Sequence, residues 1–300
     1  MGKWFEDKLE RKNLRKYTKK RMQGESKIVG ISRKFSVTAW MIILNIVMYF
    51  VIIFSLVSFD EGKVMGIFAL QANSFFQGNY WALLTSMFSH IYLPHLFFNL
   101  ISLFFIGGFL ERIIGRKKFF WFYILSGIFA GLFYAILSYN FGLTELGSKI
   151  FVSPDTYAVG ASGAIFGIAG LLAILTPMMR VFLIAGPIFA LILQAIVRSV
   201  VNSPPLNSII SLMVTFYIFL SIFSIFSFNP RLRKLALPLG MPFWILPIIA
   251  IVPLVVIGLF VPLPIGNTAH LGGLIVGLTY GAYLRKKYKR KTTAIRNYFK

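Results

Sequence analysis

Eight apolar stretches, near 37–59, 93–110, 119–139, 159–176, 181–201, 208–228, 241–261 and 268–284, approach or reach the roughly 20 residues a helix needs to cross a bilayer. Within lipid the backbone has no water to bond. Segments of this kind therefore fold as helices that satisfy their own N–H and C=O groups. The fold class that follows is an all-α polytopic membrane protein of about eight transmembrane helices. Composition agrees, with 57% hydrophobic and only 13% charged residues, the charges gathered in tails and short loops. The second and fourth stretches are short. The fifth carries Gln194 and Arg198 on one helical face, so one span within 181–261 is a candidate for a re-entrant or tilted path.

The formal charge of +22 would suggest nucleic acid in a soluble chain. Here the basic residues flank apolar runs, which is a topological signal, and no nucleic-acid partner is expected. With the amino terminus inside, one side receives twelve Lys or Arg in 1–35, four from Arg112 to Lys118, Arg180, three from Arg231 to Lys234, and eight in 285–300. Only Lys63, Lys149 and Arg198 fall on the other side. Both termini are thus expected in the cytoplasm, with the plasma membrane of a prokaryote as the expected location. The basic tail 1–35 has no apolar core and four acids, so it reads as a cytosolic tail against anionic lipid rather than a cleaved signal. The absence of cysteine excludes disulfides, thiolate metal sites and a thiol nucleophile.

The first outer loop, 60–92, is much longer than the others. It holds Phe75, Phe76, Tyr80, Trp81, Met87 and Phe88, and is read as an interfacial element in the outer leaflet. The seventh stretch carries Pro242, Pro247 and Pro253, which are expected to kink it.

Chemistry-bearing residues gather at one depth. By parity the fourth and eighth stretches both run from outside to inside, with Ser162 and His270 near their outer ends. Glycines follow each of them: Gly163, Gly167 and Gly170 after Ser162, and Gly273, Gly277 and Gly281 after His270. Faces of small residues let helix backbones approach closely. Packing those two faces together would aim the imidazole at the hydroxyl, as general-base activation requires. No acid lies within a span near either residue, so a Ser-His dyad is expected rather than a triad. His95 and Asn99, one helical turn apart, are candidate oxyanion donors, and His90 stands where it can order the loop or donate too. Each part has a plainer reading: a membrane serine often bonds its own helix, and glycine repeats often mark packing alone. Metal binding is disfavoured because His90 and His95 are five apart and no carboxylate joins them; no cofactor is expected.

At these residues the chain resembles the rhomboid intramembrane serine proteases. The resemblance rests on His90-x-x-x-x-His95-x-x-x-Asn99, Gly160-Ala161-Ser162-Gly163 and Ala269-His270-x-x-Gly273 with Gly277, in the family's order. Tyr80-Trp81 and Glu111-Arg112 look like further family marks, while the family's Trp-Arg pair is Trp81-Ala82 here. It implies Ser162 as nucleophile, His270 as base, and His95 with Asn99 in the oxyanion hole. His90, Gly160 and Gly163 would be supporting residues. Substrates would be single-span membrane proteins that unwind near the outer interface. The implied domain is a six-span rhomboid-like core over 36–284, with two extra spans inserted within 181–261 and a basic cytosolic tail at 285–300. Two other readings are a catalytically inactive rhomboid-like protein that binds or routes membrane clients, and a transporter built on the Gln194 and Arg198 face.

Overall fold

The computed structural model describes residues 35–201, 203–225, 229–259 and 266–299. Apart from Phe35, the predicted tail 1–35 lies outside the described residues. The protein is a helical polytopic membrane protein. Among the described residues four helices are long and apolar enough to cross a bilayer unaided: Val37–Ser58, Leu93–Ile114, Arg116–Phe141 and Pro204–Ser224.

The first of these is α1 (Val37–Ser58). Its amino-terminal N–H groups, which no helix satisfies internally, are met from two sources. Ser36 Oγ accepts from Ala39 N. The buried carboxylate of Glu111 accepts from Val37 N at 2.9 Å, Thr38 N at 2.8 Å and Thr38 Oγ1 at 2.6 Å. Arg116 Nε lies 3.6 Å from the same carboxylate. A negative charge at a helix amino terminus is favourable, and this one ties α1 to a segment more than seventy residues on.

The loop after α1 folds into three short helices, α2 (Glu61–Phe68), α3 (Ala72–Phe76) and α4 (Ala82–Thr85). Its aromatic residues divide. Phe75, Met87 and Phe88 turn inward and are buried, whereas Phe76, Tyr80 and Trp81 face outward with Leu84. Met87 fills a notch left by Gly127, where an added Cβ would come within 2.0 Å of its Cε.

Next come α5 (Leu93–Ser102), with Pro94 in its first turn, a π-helical turn at Leu103–Gly107, and α6 (Gly108–Ile114) in one continuous rod. After the turn at Gly115, α7 (Arg116–Phe141) crosses back, and α8 (Glu145–Phe151) caps the far side. Then follow α9 (Ser162–Leu175) and, nearly a hundred residues on, α13 (Asn267–Lys287). The core lies among these helices, around Leu103, Leu110, Phe119, Tyr123, Ile168, Leu171 and Leu172. Among the described residues, α9 and α13 form the most intimate helix pair.

The stretches predicted as spans at 181–201 and 241–261 do not begin as helices. Strand β1 (Arg180–Ile184) pairs antiparallel with β2 (Pro238–Pro242), from Arg180 opposite Pro242 to Ile184 opposite Pro238. Proline supplies the reason. Its ring clashes with the carbonyl four residues earlier, so Pro187 bars a helix from extending back over Leu183, and ahead of Pro247 the chain takes a 3-10 turn over Phe243–Ile245 instead of an α-helical one. Helix α10 accordingly starts at Ala185 (Ala185–Val200) and α12 at Leu246 (Leu246–Gly258). Of the three prolines expected to kink the seventh stretch, only Pro253 stands inside the helix.

Between them, α11 (Pro204–Ile225) returns alongside α10. Gln194 Nε2 donates to Ser211 Oγ at 2.9 Å, the Arg198 guanidinium donates to the same oxygen, and Ser211 Oγ donates to the Asn207 carbonyl at 2.8 Å. The polar face of α10 is thus a seam between two helices. Helix α12, not α10, packs beside α9 and α13. The α10–α11 pair is an outlying hairpin whose two ends meet at the β1–β2 ladder.

Candidate active site

Ser162 is the first residue of α9, following Ala161 at the cap position, and His270 is the fourth of α13. Their placement follows from glycine. An added Cβ at Gly273 would fall 1.9 Å from the Gly163 carbonyl oxygen, and one at Gly277 would fall 2.1 Å from the Gly167 carbonyl oxygen. Any side chain at either position would force the backbones apart. With none, Ser162 Oγ and His270 Nε2 stand 2.8 Å apart. The ring of His270 is buried and stacks on Phe166, with centroids 4.4 Å apart and planes 20° from parallel. Phe166 is one turn below Ser162, so a single helix carries both the hydroxyl and the plate that orients its partner. In the tautomer in which Ser162 O–H donates to Nε2, the proton of the ring rests on Nδ1, a buried atom with no hydrogen-bond partner.

The approach to the serine is shaped by Gly160, whose φ of +126° is one L side chains rarely adopt. A Cβ there would meet His95 Cε1 at 2.7 Å and Nε2 at 2.8 Å, with Asn99 Nδ2 at 3.5 Å. Imidazole and amide thus lie directly against the peptide two residues before Ser162. The Gly160 N–H donates to the Ser86 carbonyl at 2.8 Å, and Leu70 and Ala158 exchange two backbone hydrogen bonds, at 2.9 and 2.7 Å. Asn73 Nδ2 adds a bond to Asp155 Oδ1. The long first loop is therefore fastened to the segment that delivers the serine. Ala82, where the resembled family carries arginine, is buried within this loop.

His90 is fully buried and sits 2.9 Å, by its Nε2, from Asn99 Nδ2, which donates to the neutral ring. The His90 and His95 rings meet edge to face at 4.9 Å. Burial above all, then the neighbouring His95, pushes the His90 imidazole down to about 3, against the opposing pull of the Phe88 carbonyl. His90 is uncharged at neutral pH and holds the Asn99 amide in place. The amides of Ser162, Gly163 and Ala164 precede the first intrahelical bond, from Ile165 N to the Ala161 carbonyl, so they face outward at the positive end of α9. The Ser162 hydroxyl, the His270 ring and the outward-facing N–H groups thus stand at the start of α9, with His95 and Asn99 against Gly160 just before it.

Sequence reasoning missed Phe166, whose only mark is its i+4 spacing from Ser162, and the partner of Glu111. Glu111 lies at the far end of its rod, away from Ser162 and His270, as a helix cap.

The family model for the rhomboid domain matches residues 77–237. The chain belongs to the rhomboid family. The match takes in His90, His95, Asn99, Ser162 and the α10–α11 hairpin, and stops ahead of His270. This rhomboid is 36% identical over 141 residues to rhomboid protease AarA of Providencia stuartii, covering 45% of this chain and 48% of that protein. It is 32% identical over 131 residues to rhomboid protease GluP of Bacillus subtilis (strain 168), covering 44% of this chain and 23% of that protein. It is 31% identical over 143 residues to rhomboid-like protease 3 of Toxoplasma gondii, covering 47% of this chain and 48% of that protein. The chain therefore spans about half or less of the length of these relatives.

Proposed function

We propose that this rhomboid is an intramembrane serine endopeptidase that hydrolyses peptide bonds of single-span membrane proteins near the outer interface by a Ser162–His270 dyad. The observation that carries the reading is the 2.8 Å approach of Ser162 Oγ to His270 Nε2 at the open amino terminus of α9. The protease names of the relatives support it.

In this mechanism Ser162 Oγ attacks the scissile carbonyl carbon while its proton passes to His270 Nε2. The carbonyl oxygen gathers charge beside His95, Asn99 and the free amides of α9, where each donor contributes about 3 kcal/mol in comparable hydrolases. His270 then hands its proton to the leaving amine, and water, deprotonated by the same ring, releases the acyl group. Stacking on Phe166 replaces the carboxylate of a triad as the device that fixes the ring. A helical peptide bond is shielded by its own hydrogen bonds, so a substrate must unwind locally to reach the site.

The proposed membrane placement has eight passes, the α10–α11 pair being the two additional ones. Both termini lie in the cytoplasm, and the dyad opens to the other side.

Ser162→Ala, and separately His270→Ala, are expected to abolish cleavage of a co-expressed single-span substrate while expression persists. Wild-type cleavage should decline on acidification as His270 takes up a proton. A fluorophosphonate should label the wild type at Ser162 and neither variant. Undiminished cleavage by Ser162→Ala would rule the mechanism out, and absence of labelling in a folded wild type would favour a client-binding rhomboid without activity.

A further inference from the structure

We propose that a cleft at the end of the molecule remote from the dyad binds the headgroup of an anionic phospholipid. The cleft has a volume of about 330 Å³ and is lined by Ile174, Ala282, Arg285, Lys286 and Lys289. It opens where the tight packing of α9 on α13 ends. An added Cβ at Gly281 would meet Ile174 Cβ at 2.8 Å, so the two helices remain in contact to that level. The cleft sits about 22 Å along α13 from His270, at 1.5 Å per residue. Beyond it the chain continues into a terminal helix, α14 (Lys289–Tyr298), with Phe299 set against Phe109 at 5.4 Å. That contact folds the basic helix back over the molecule's end.

Three cations converge here, and none has a carboxylate partner among the described residues. The only acid on this end among those residues is Glu111, already engaged by Val37, Thr38 and Arg116. A helix carboxyl terminus carries roughly half a negative charge, which accounts for one cation in the last turn of α13 but not for this concentration. Neighbouring cations are otherwise occupied: Lys287 Nζ donates to Tyr283 Oη at 2.7 Å, and Lys118 lies over the Tyr288 ring. The walls contributed by Ile174 and Ala282 are apolar. Under the proposed membrane placement the cleft lies at the cytoplasmic interface, where apolar walls with a cationic rim fit a phosphodiester attached to its lipid better than a free ion, and basic pockets between membrane helices bind such headgroups. A lipid seated there would touch both the serine helix and the histidine helix.

The test uses the full-length protein reconstituted in vesicles of phosphatidylcholine, with and without phosphatidylglycerol, then released for native mass spectrometry. The wild type is expected to retain phosphatidylglycerol in preference to phosphatidylcholine. The triple variant Arg285→Gln, Lys286→Gln, Lys289→Gln should lose that preference, by about fivefold per cation removed. A control of equal charge loss, Lys117→Gln, Arg290→Gln, Lys291→Gln, changes exposed cations outside the cleft lining and should retain it. Equal loss in both variants would mean diffuse surface attraction and would overturn the proposal. Displacement of the lipid by soluble glycerol phosphate alone would overturn it in favour of a free-phosphate site.

Discussion

Replacing Gly273 by alanine should damage the dyad without touching either of its members. The new methyl carbon would stand 1.9 Å from the Gly163 carbonyl oxygen, and contacts under 3.0 Å essentially never occur for a real Cβ, so the helices must separate by about 1.1 Å at that level. The obstacle is backbone on both sides, which no rotamer change relieves. Gly273 is one turn from His270, so the 2.8 Å contact between Nε2 and Oγ would stretch to about 3.9 Å, beyond the reach of proton transfer at roughly 3.2 Å. A misplacement of about 1 Å costs on the order of 10²-fold in rate, or about 2.7 kcal/mol of transition-state stabilisation. Overpacking should separately lower stability by about 1 to 3 kcal/mol. The fitting assay is the second-order rate of fluorophosphonate labelling at Ser162 in the folded fraction, alongside cleavage of a membrane substrate. Gly281→Ala serves as the comparison. It lies on the same interface but meets only the Ile174 side chain, at 2.8 Å, far from the dyad, and should label almost as fast as the wild type. If Gly273→Ala labels and cleaves within about twofold of the wild type, helix approach does not set the dyad geometry and the reasoning fails.

Three further outcomes are expected. Asn99→Ala should lower turnover by about 10²- to 10³-fold with little change in expression, measured by initial cleavage rates, since it removes a donor aimed beside Gly160. His90 is buried in its neutral form with its affinity for protons depressed to about 3, so its contribution to stability is complete above the unfolded value of 6.5. That contribution is lost as the pH falls from 6.5 toward about 3, by up to about 1.4 kcal/mol per pH unit; thermal unfolding followed across that window should show this slope, and His90→Gln should flatten it. Glu111→Ala should cost roughly 2 to 3 kcal/mol by uncapping α1, visible as a lowered Tm, with the labelling rate of the folded fraction unchanged.

The close helix pair at the candidate site is legible in the chain because glycine has no side chain to disguise its purpose. Repeats at i+4 behind Ser162 and His270 predict a close helix pair, and each close approach is carried by one of those glycines. The His90, His95 and Asn99 spacing likewise places three polar groups on one entrance. What escaped was long-range or chemically silent. Phe166 is one aromatic among 32 phenylalanines, and nothing in its neighbours distinguishes a stacking plate from a lipid-facing ring. The tie between Glu111 and Thr38 spans 73 residues, which no local pattern encodes. The β1–β2 ladder was hidden because Val181 to Ile184 are as apolar as any membrane helix. Hydropathy measures transfer into lipid, whereas Pro187 decides where a helix is able to start. The first loop divided its aromatics between inside and outside, a partition that depends on Gly127 offering space across the bundle.

The ladder from Arg180 opposite Pro242 to Ile184 opposite Pro238 places the departure and the return of the chain side by side. A detour through α10 and α11 thus leaves and rejoins by one doorway. The antiparallel strands hand the chain on to α12, which packs beside the helices that bear the serine and the histidine. Motions of that outrigger are passed on through two five-residue straps, one leading back to the serine-bearing helix and one leading on to α12, and the Phe243 N–H on the Met179 carbonyl makes both ends move together.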